Sequence, residues 1–239
     1  MKKNNWLLLL ALVSSMSLFG QIHSGTIQYE RKTNLHKKYP DMVENFEKWE
    51  VPKIKTDLFT LNFNDTLAHF GPSIDATSSY MSYWTRSNSY LDQLNTKKRL
   101  IRFDVSGEYL FVEDTLPKRN WKITDQKRMI ANYNCRKAIW QKDDTTRIYA
   151  WFTEAIFPEI GPEGITGLPG AILGLATEDG SVVYFAQSVE SKTIEIEQLQ
   201  LPVKRKNVMT LQALKEKITK IFENSDWGKG IIKDLLRWM

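Results

Sequence analysis

The chain has 239 residues, 42% of them hydrophobic and 26% charged, which is the makeup of a folded globular protein and excludes a disordered or collagen-like one. Its 33 basic and 28 acidic residues leave a net charge of +5, well short of the concentrated basic stripe of a nucleic-acid binder. The basic runs Lys97-Lys98-Arg99 and Lys204-Arg205-Lys206 read as solvated faces or turns.

Residues 1–20 have the order of a secretory signal peptide: Lys2 and Lys3, the apolar run Trp6 to Val13, then the small and polar stretch to Gly20. The run is too short to cross about 30 Å of hydrocarbon as a helix, and no later segment approaches 18 uninterrupted apolar residues, so the mature chain is expected to be soluble, without a membrane-spanning helix. Cleavage after Gly20 removes both lysines and lowers the net charge from +5 to +3. Residues 21–239 then read as a single β-rich domain with a helical segment from about residue 210.

Strand patterns, alternating or rich in β-branched and aromatic residues, fall at 25–32, 57–64, 67–70, 99–105, 108–113, 121–124, 128–141, 146–153, 171–176, 181–189 and 193–200. Turn signals separate them, among them Ser106-Gly107, Asp143-Asp144 and Asp179-Gly180. The last predicts a hairpin with a type I′ turn. After Pro40, the spacing of Met42, Phe46 and Trp49 predicts a short amphipathic helix over 41–49. The aromatic stretch Tyr80, Met81, Tyr83, Trp84 and Tyr90 reads as packing or as the lining of a ligand or partner surface. Thr210 is placed to cap a helix whose Leu211, Leu214, Ile218, Ile221 and Phe222 share one face, and a second helix or docking tail runs from Ile231 to Met239.

Cys135 is the only cysteine, so no intramolecular disulfide forms. It reads as a buried small hydrophobe; as a candidate reactive thiol it needs a base and an electropositive, partly open setting, and His23, His36 and His69 all lie far away in sequence. There is no Gly-x-Ser-x-Gly elbow, no His-Glu-x-x-His and no Cys-x-x-Cys, and the carboxylate pairs Asp143-Asp144 and Glu178-Asp179 sit at turns. No catalytic residue, metal site or cofactor is assigned.

The densest local composition is Gly161-Pro162-Glu163-Gly164-Ile165-Thr166-Gly167-Leu168-Pro169-Gly170. Glycine grants positive φ or close backbone approach and proline fixes φ, so this is one shaped loop, with Glu163 taken as an exposed side chain upon it. It lacks the Gly-Lys-Ser/Thr of a phosphate cradle.

The loop, with Ala171-Ile172-Leu173 after it, resembles the signature of the GLPGLI family of secreted bacterial envelope proteins, whose name spells the motif. Trp121-Lys122-Ile123, Asn132-Tyr133-Asn134-Cys135-Arg136-Lys137-Ala138, Ala150-Trp151-Phe152-Thr153 and the opening Gly25-Thr26-Ile27-Gln28-Tyr29 are similar to the family's recurrent stretches, in the same order. Ala171 stands where the family name has Leu, and Phe152 where Tyr is usual. The resemblance covers most of residues 25–190 and implies export to the periplasm, the outer-membrane surface or the exterior; the family has no assigned catalytic residue.

The expected fold is mainly β with a C-terminal helix (α+β): a curved antiparallel sheet, a half-barrel resembling periplasmic lipoprotein carriers, with the helix over its concave face. The expected function is that of a non-catalytic envelope module binding an apolar ligand or an outer-membrane partner, with no nucleic acid. The alternative is a hydrolase or redox enzyme using Cys135.

Overall fold

The computed structural model describes residues 20–45, 51–73, 88–105, 108–199, 201, 208–222 and 228–239. The expected signal segment before Gly20, Phe46 and Trp49, the aromatic stretch from Tyr80 to Trp84, Ser106-Gly107 and the Lys204-Arg205-Lys206 run lie outside the described residues.

Among the described residues twelve strands form one sheet: β1 (Gly25–Asn34), β2 (Ile54–Phe63), β3 (Leu67–Pro72), β4 (Ser89–Gln93), β5 (Lys98–Val105), β6 (Glu108–Thr115), β7 (Trp121–Ile130), β8 (Tyr133–Asp143), β9 (Thr146–Thr153), β10 (Ala171–Thr177), β11 (Val182–Ser191) and β12 (Val208–Met209). Their order is β12-β6-β5-β4-β3-β2-β1-β11-β10-β9-β8-β7, antiparallel throughout except for the parallel β12–β6 pair. The chain meanders outward from β1 to β6, jumps to the far edge at β7, and meanders back until β11 closes on β1.

That jump dictates the curvature. Laid flat, ten inter-strand steps between β6 and β7 would separate them by roughly 48 Å. Residues 116–120 join Thr115 to Trp121, a reach of about 20 Å at full extension. The sheet therefore curls until its edges approach, and residues 116–120 bridge the open side.

Alternation along the strands fills the concave face. On β1, Ile27, Tyr29, Arg31 and Thr33 are buried while Gln28 and Lys32 are exposed. Around them Phe59, Phe70, Tyr90 and Tyr184 pack stacked, edge-on or tilted, with ring centroids 5.1 Å apart for Phe59–Phe70 and 6.2 Å for Phe70–Tyr184. Two short helices, α1 (Leu35–Lys38) and α2 (Pro40–Asn45), follow β1. At the C-terminus α3 (Leu211–Phe222) starts at Thr210, whose Oγ1 accepts from the Ala213 amide at 3.2 Å, and it buries Leu214, Ile218 and Phe222. Helix α4 (Gly228–Leu235) packs against α3 and is followed by the buried Trp238.

Four expectations change. Residues 128–141 are two strands, because Ala131 and Asn132 adopt φ of 47° and 67° and turn the chain as type I′ geometry requires. The described part of the 193–200 segment, residues 193–199, holds a 3-10 turn, Ile196–Leu199, and no strand. Strands β4 and β12 went unread in the sequence. The β10–β11 hairpin forms, but of its Asp179-Gly180 pair Gly180 alone takes positive φ, with its amide bonded to the Thr177 carbonyl at 2.9 Å; Asp179 instead accepts from the Ser181 amide at 3.0 Å.

Candidate functional site

The Gly161–Gly170 loop has two sides. Its first half is a 3-10 turn, Pro162–Gly164, which packs inward against β3, β4 and β10. Glu163 is only 3% exposed, so its expected place on the surface is wrong: at φ 54°, a left-handed conformation costly for a non-glycine residue, its carboxylate is turned into the concave face. There it accepts from the Tyr184 hydroxyl and lies 3.6 Å from Arg31 Nη1. The next carbonyl, Gly164 O, accepts from Arg99, whose guanidinium grips Asp92 with two bonds of 2.6 and 2.7 Å. Arg99 is thus buried and paired, unlike the solvated cation read from its Lys-Lys-Arg run.

The second half faces outward. Gly167 and Pro169 are exposed, Leu168 is buried, and the Trp121 indole anchors the turn by donating to Thr166 O at 3.1 Å. Gly170 has φ 115°, and a Cβ there would stand 2.1 Å from the Thr153 carbonyl oxygen. No other residue fits that approach.

Inside, the charges form a linked set. Arg31 lies over the Phe59 ring, pairs with Asp57 at 2.8 Å and donates to the Tyr184 hydroxyl at 3.3 Å. Burial would push the Asp57 carboxyl up, yet Arg31 and Lys55 outweigh it and hold Asp57 below the usual carboxylate range. For Glu163 the balance reverses: burial outweighs Arg31 and Tyr184 and raises its carboxyl. The Tyr90 hydroxyl faces Glu163 and Asn88 without a hydrogen bond of good geometry. Between Arg31, Asn88, Glu163, Tyr184 and the residues of the α4 end lies a void of about 20 Å³, the room of one water molecule.

Outside, a cleft of about 680 Å³ opens at the mouth of the curled sheet. Gly167, Pro169 and Gly170 form one wall, the bridging residues Leu116, Pro117 and Lys118 another, and Leu94, Phe157 and Pro158 supply more apolar surface. Phe157 is 52% exposed and His23, paired with Asp65 at 2.8 Å, stacks on its ring. Charged groups stand around this apolar lining, Lys97 and Lys118 with Asp65, Glu154 and Glu159. Such a cleft has the size and chemistry of a small-ligand site.

The other sequence candidates do not converge on either place. Cys135 is fully buried, burial pushes its thiol up to about 11, and its Sγ donates to the Tyr133 carbonyl at 3.5 Å. His36 bonds the Val51 carbonyl at 2.9 Å, while His69 is lowered by burial and by Arg102, and its Nε2 has no hydrogen-bond partner among the described residues. Asp143 accepts from the Thr145 amide and Glu178 pairs with Arg147, each at a hairpin tip. Among the described residues no group of His, Cys, Asp and Glu is arranged to hold a metal ion, and no helix is long and apolar enough to cross a membrane.

Sequence reasoning missed Glu163 as an interior group. A signal was present: alternation along Ile27, Tyr29, Arg31 and Thr33 puts Arg31 inward, and a buried guanidinium requires a buried acid.

The class these features define is a protein with an open, curved, mainly antiparallel sheet whose concave face is filled by one loop and the C-terminal helices. No protein-family model matches the chain, and no curated protein matches its sequence. Among solved structures it is similar to PNGF-II in two crystal forms: the P21 form at 16% identity and TM-score 0.54, and the C2 form at 17% identity and TM-score 0.56. Each match covers 81% of this chain and 32% of PNGF-II, so this chain spans about a third of that protein. An uncharacterized conserved protein from Thermus thermophilus aligns with 77% of this chain and 90% of its own at 8% identity, TM-score 0.41. The likeness to PNGF-II is one of fold alone.

Proposed function

We infer that the chain is an exported, non-catalytic envelope module of the GLPGLI type, a half-barrel in the manner of periplasmic lipoprotein carriers, which binds an apolar ligand, or an apolar segment of an outer-membrane partner, in the cleft beside its signature loop. The observation that carries this reading is the 680 Å³ cleft, walled by Gly167, Pro169 and Gly170 and lined by Leu94, Leu116 and Phe157. The loop is then kept for backbone shape: its inner half locks into the sheet and its outer half presents a rigid wall. Burial of Cys135 removes the thiol from solvent, which speaks for packing over nucleophilic chemistry.

The test is a titration with the uncharged fluorescent probe 1-N-phenylnaphthylamine. The parent protein should show one saturable site, and Phe157→Asp and Leu94→Asp should each weaken it about tenfold or more, a loss of roughly 1.4 kcal/mol or more, with the melting temperature little changed in the variant of the exposed Phe157. Equal affinity in parent and variants would refute the cleft as the site. Export carries its own check, since N-terminal sequencing of protein recovered from the native envelope should begin at or near Gln21, and Met1 retained in a membrane fraction would contradict it.

A further inference from the structure

Helix α4 sits in a socket with an excess of buried cations. The acid on the helix, Asp234, accepts from Tyr39 Oη and from Arg237 one turn further on, and pairs with Lys38 Nζ at 2.8 Å; the side chains of Asp234 and Lys38 are 7% and 10% exposed. The carbonyls at the helix end, which have no partner within the helix, are met by side chains from elsewhere: Leu235 O by Asn88 at 3.4 Å, Arg237 O by Lys142, and Trp238 O by Arg119 at 3.2 Å. Arg31 and Arg99 each have a carboxylate, but Arg119 has none among the described residues. It is 8% exposed, lies over the Trp140 ring, and its Nε and Nη1 have no hydrogen-bond partner among the described residues. A buried guanidinium whose donors lack an acceptor is costly. Burial, with Arg99 close by, pulls Arg119 down to about 10, and burial with Arg237 lowers the Lys38 ammonium against the pull of Asp234. Beside these cations the floor is aromatic, with Trp238 held edge-on to Tyr184 at 6.4 Å.

We propose that this socket is a second binding site, distinct from the outer cleft, for an amphiphile bearing a carboxylate, and that α4 with Trp238 occupies it as an internal stand-in: Asp234 fills the place of the ligand carboxylate on Lys38 and Tyr39, and Trp238 that of its apolar body. Displacing the helix end turns Lys38 and the Tyr39 hydroxyl from Asp234 to the ligand carboxylate, releases Arg119 Nη2 from the Trp238 carbonyl beside them, and uncovers Tyr184 for the chain behind it. The internal helix lowers the apparent affinity of any such ligand by competing for the same groups.

The experiment is isothermal titration of the full chain with dodecanoate and with uncharged octyl glucoside, both below their critical micelle concentrations. Asp234→Asn and Trp238→Ala, which loosen the stand-in by two different contacts, should each raise dodecanoate affinity about tenfold, equivalent to 1.4 kcal/mol, and leave octyl glucoside unchanged. Adding Lys38→Met or Arg119→Met to Trp238→Ala should abolish that gain; Lys142→Met serves where Arg119→Met fails to fold by near-ultraviolet circular dichroism. The proposal is overturned if neither loosening variant gains affinity, if octyl glucoside gains equally, or if the gain survives loss of the cations. Dodecanoate binding that responds only to Phe157→Asp would place the ligand in the outer cleft and likewise overturn it.

Discussion

Gly170 and Glu163 carry opposite kinds of backbone strain within one loop. Gly170 holds φ 115° with no Cβ to collide with the Thr153 carbonyl 2.1 Å away, so Gly170→Ala should destabilise the protein by at least about 1 kcal/mol. A thermal melt matching the parent would show that the motif is not kept for backbone shape. Glu163 holds φ 54° with a side chain, stabilised by Tyr184 and Arg31. Because burial raises its carboxyl above the ordinary Glu value, the stability this group contributes is complete below that value and is lost as pH rises through the folded one. The advantage of the parent over Glu163→Gln should therefore be larger at pH 4 than at pH 7 in urea denaturation. An advantage that grows toward pH 7 would mean that the Arg31 ion pair outweighs burial.

At the scale of elements, α3 is the clearest case of pattern becoming packing. Leu214 and Ile218 are fully buried, so Leu214→Ala should cost about 2–4 kcal/mol, read as a shift in the urea midpoint. An unmoved midpoint would detach the helix from the core. This helix was legible because its cap and its apolar face are local. Most strands were legible for the same reason, since alternation is written residue by residue. The turn at Ala131-Asn132 was not, because Ala carries no signal for φ 47° and the apolar pattern runs through it. Strand β12 hid because it is two residues long and exists only by pairing with Phe111 and Val112 of β6. The 193–200 segment alternates like a strand, yet its neighbours are elsewhere in the sheet, so tertiary context turned it into a 3-10 turn.

At the scale of the molecule, the reading of a β-rich sheet closed over by a C-terminal helix could be made from the sequence, while the site could not. The cleft arises from residues 116–120 bridging the open side onto a loop some fifty positions later, a meeting that only topology creates. The buried charges were masked by their immediate neighbours, because Glu163 stands between proline and glycine and Arg99 follows two lysines, neighbours that signal solvent. Beyond the β1–β11 ladder, the Gly161–Gly170 loop ties the two halves of the sheet together, clamped through Arg31 on β1 and Arg99 on β5 on its inner side and shaping the cleft on its outer one. Whether this outer side holds an apolar ligand is decided by native mass spectrometry of the protein purified from its source cells, beside its Phe157→Asp variant. One apolar adduct per chain is expected in the parent and none in the variant; a bare chain in both, or the same adduct in both, would rule the cleft out as a ligand site.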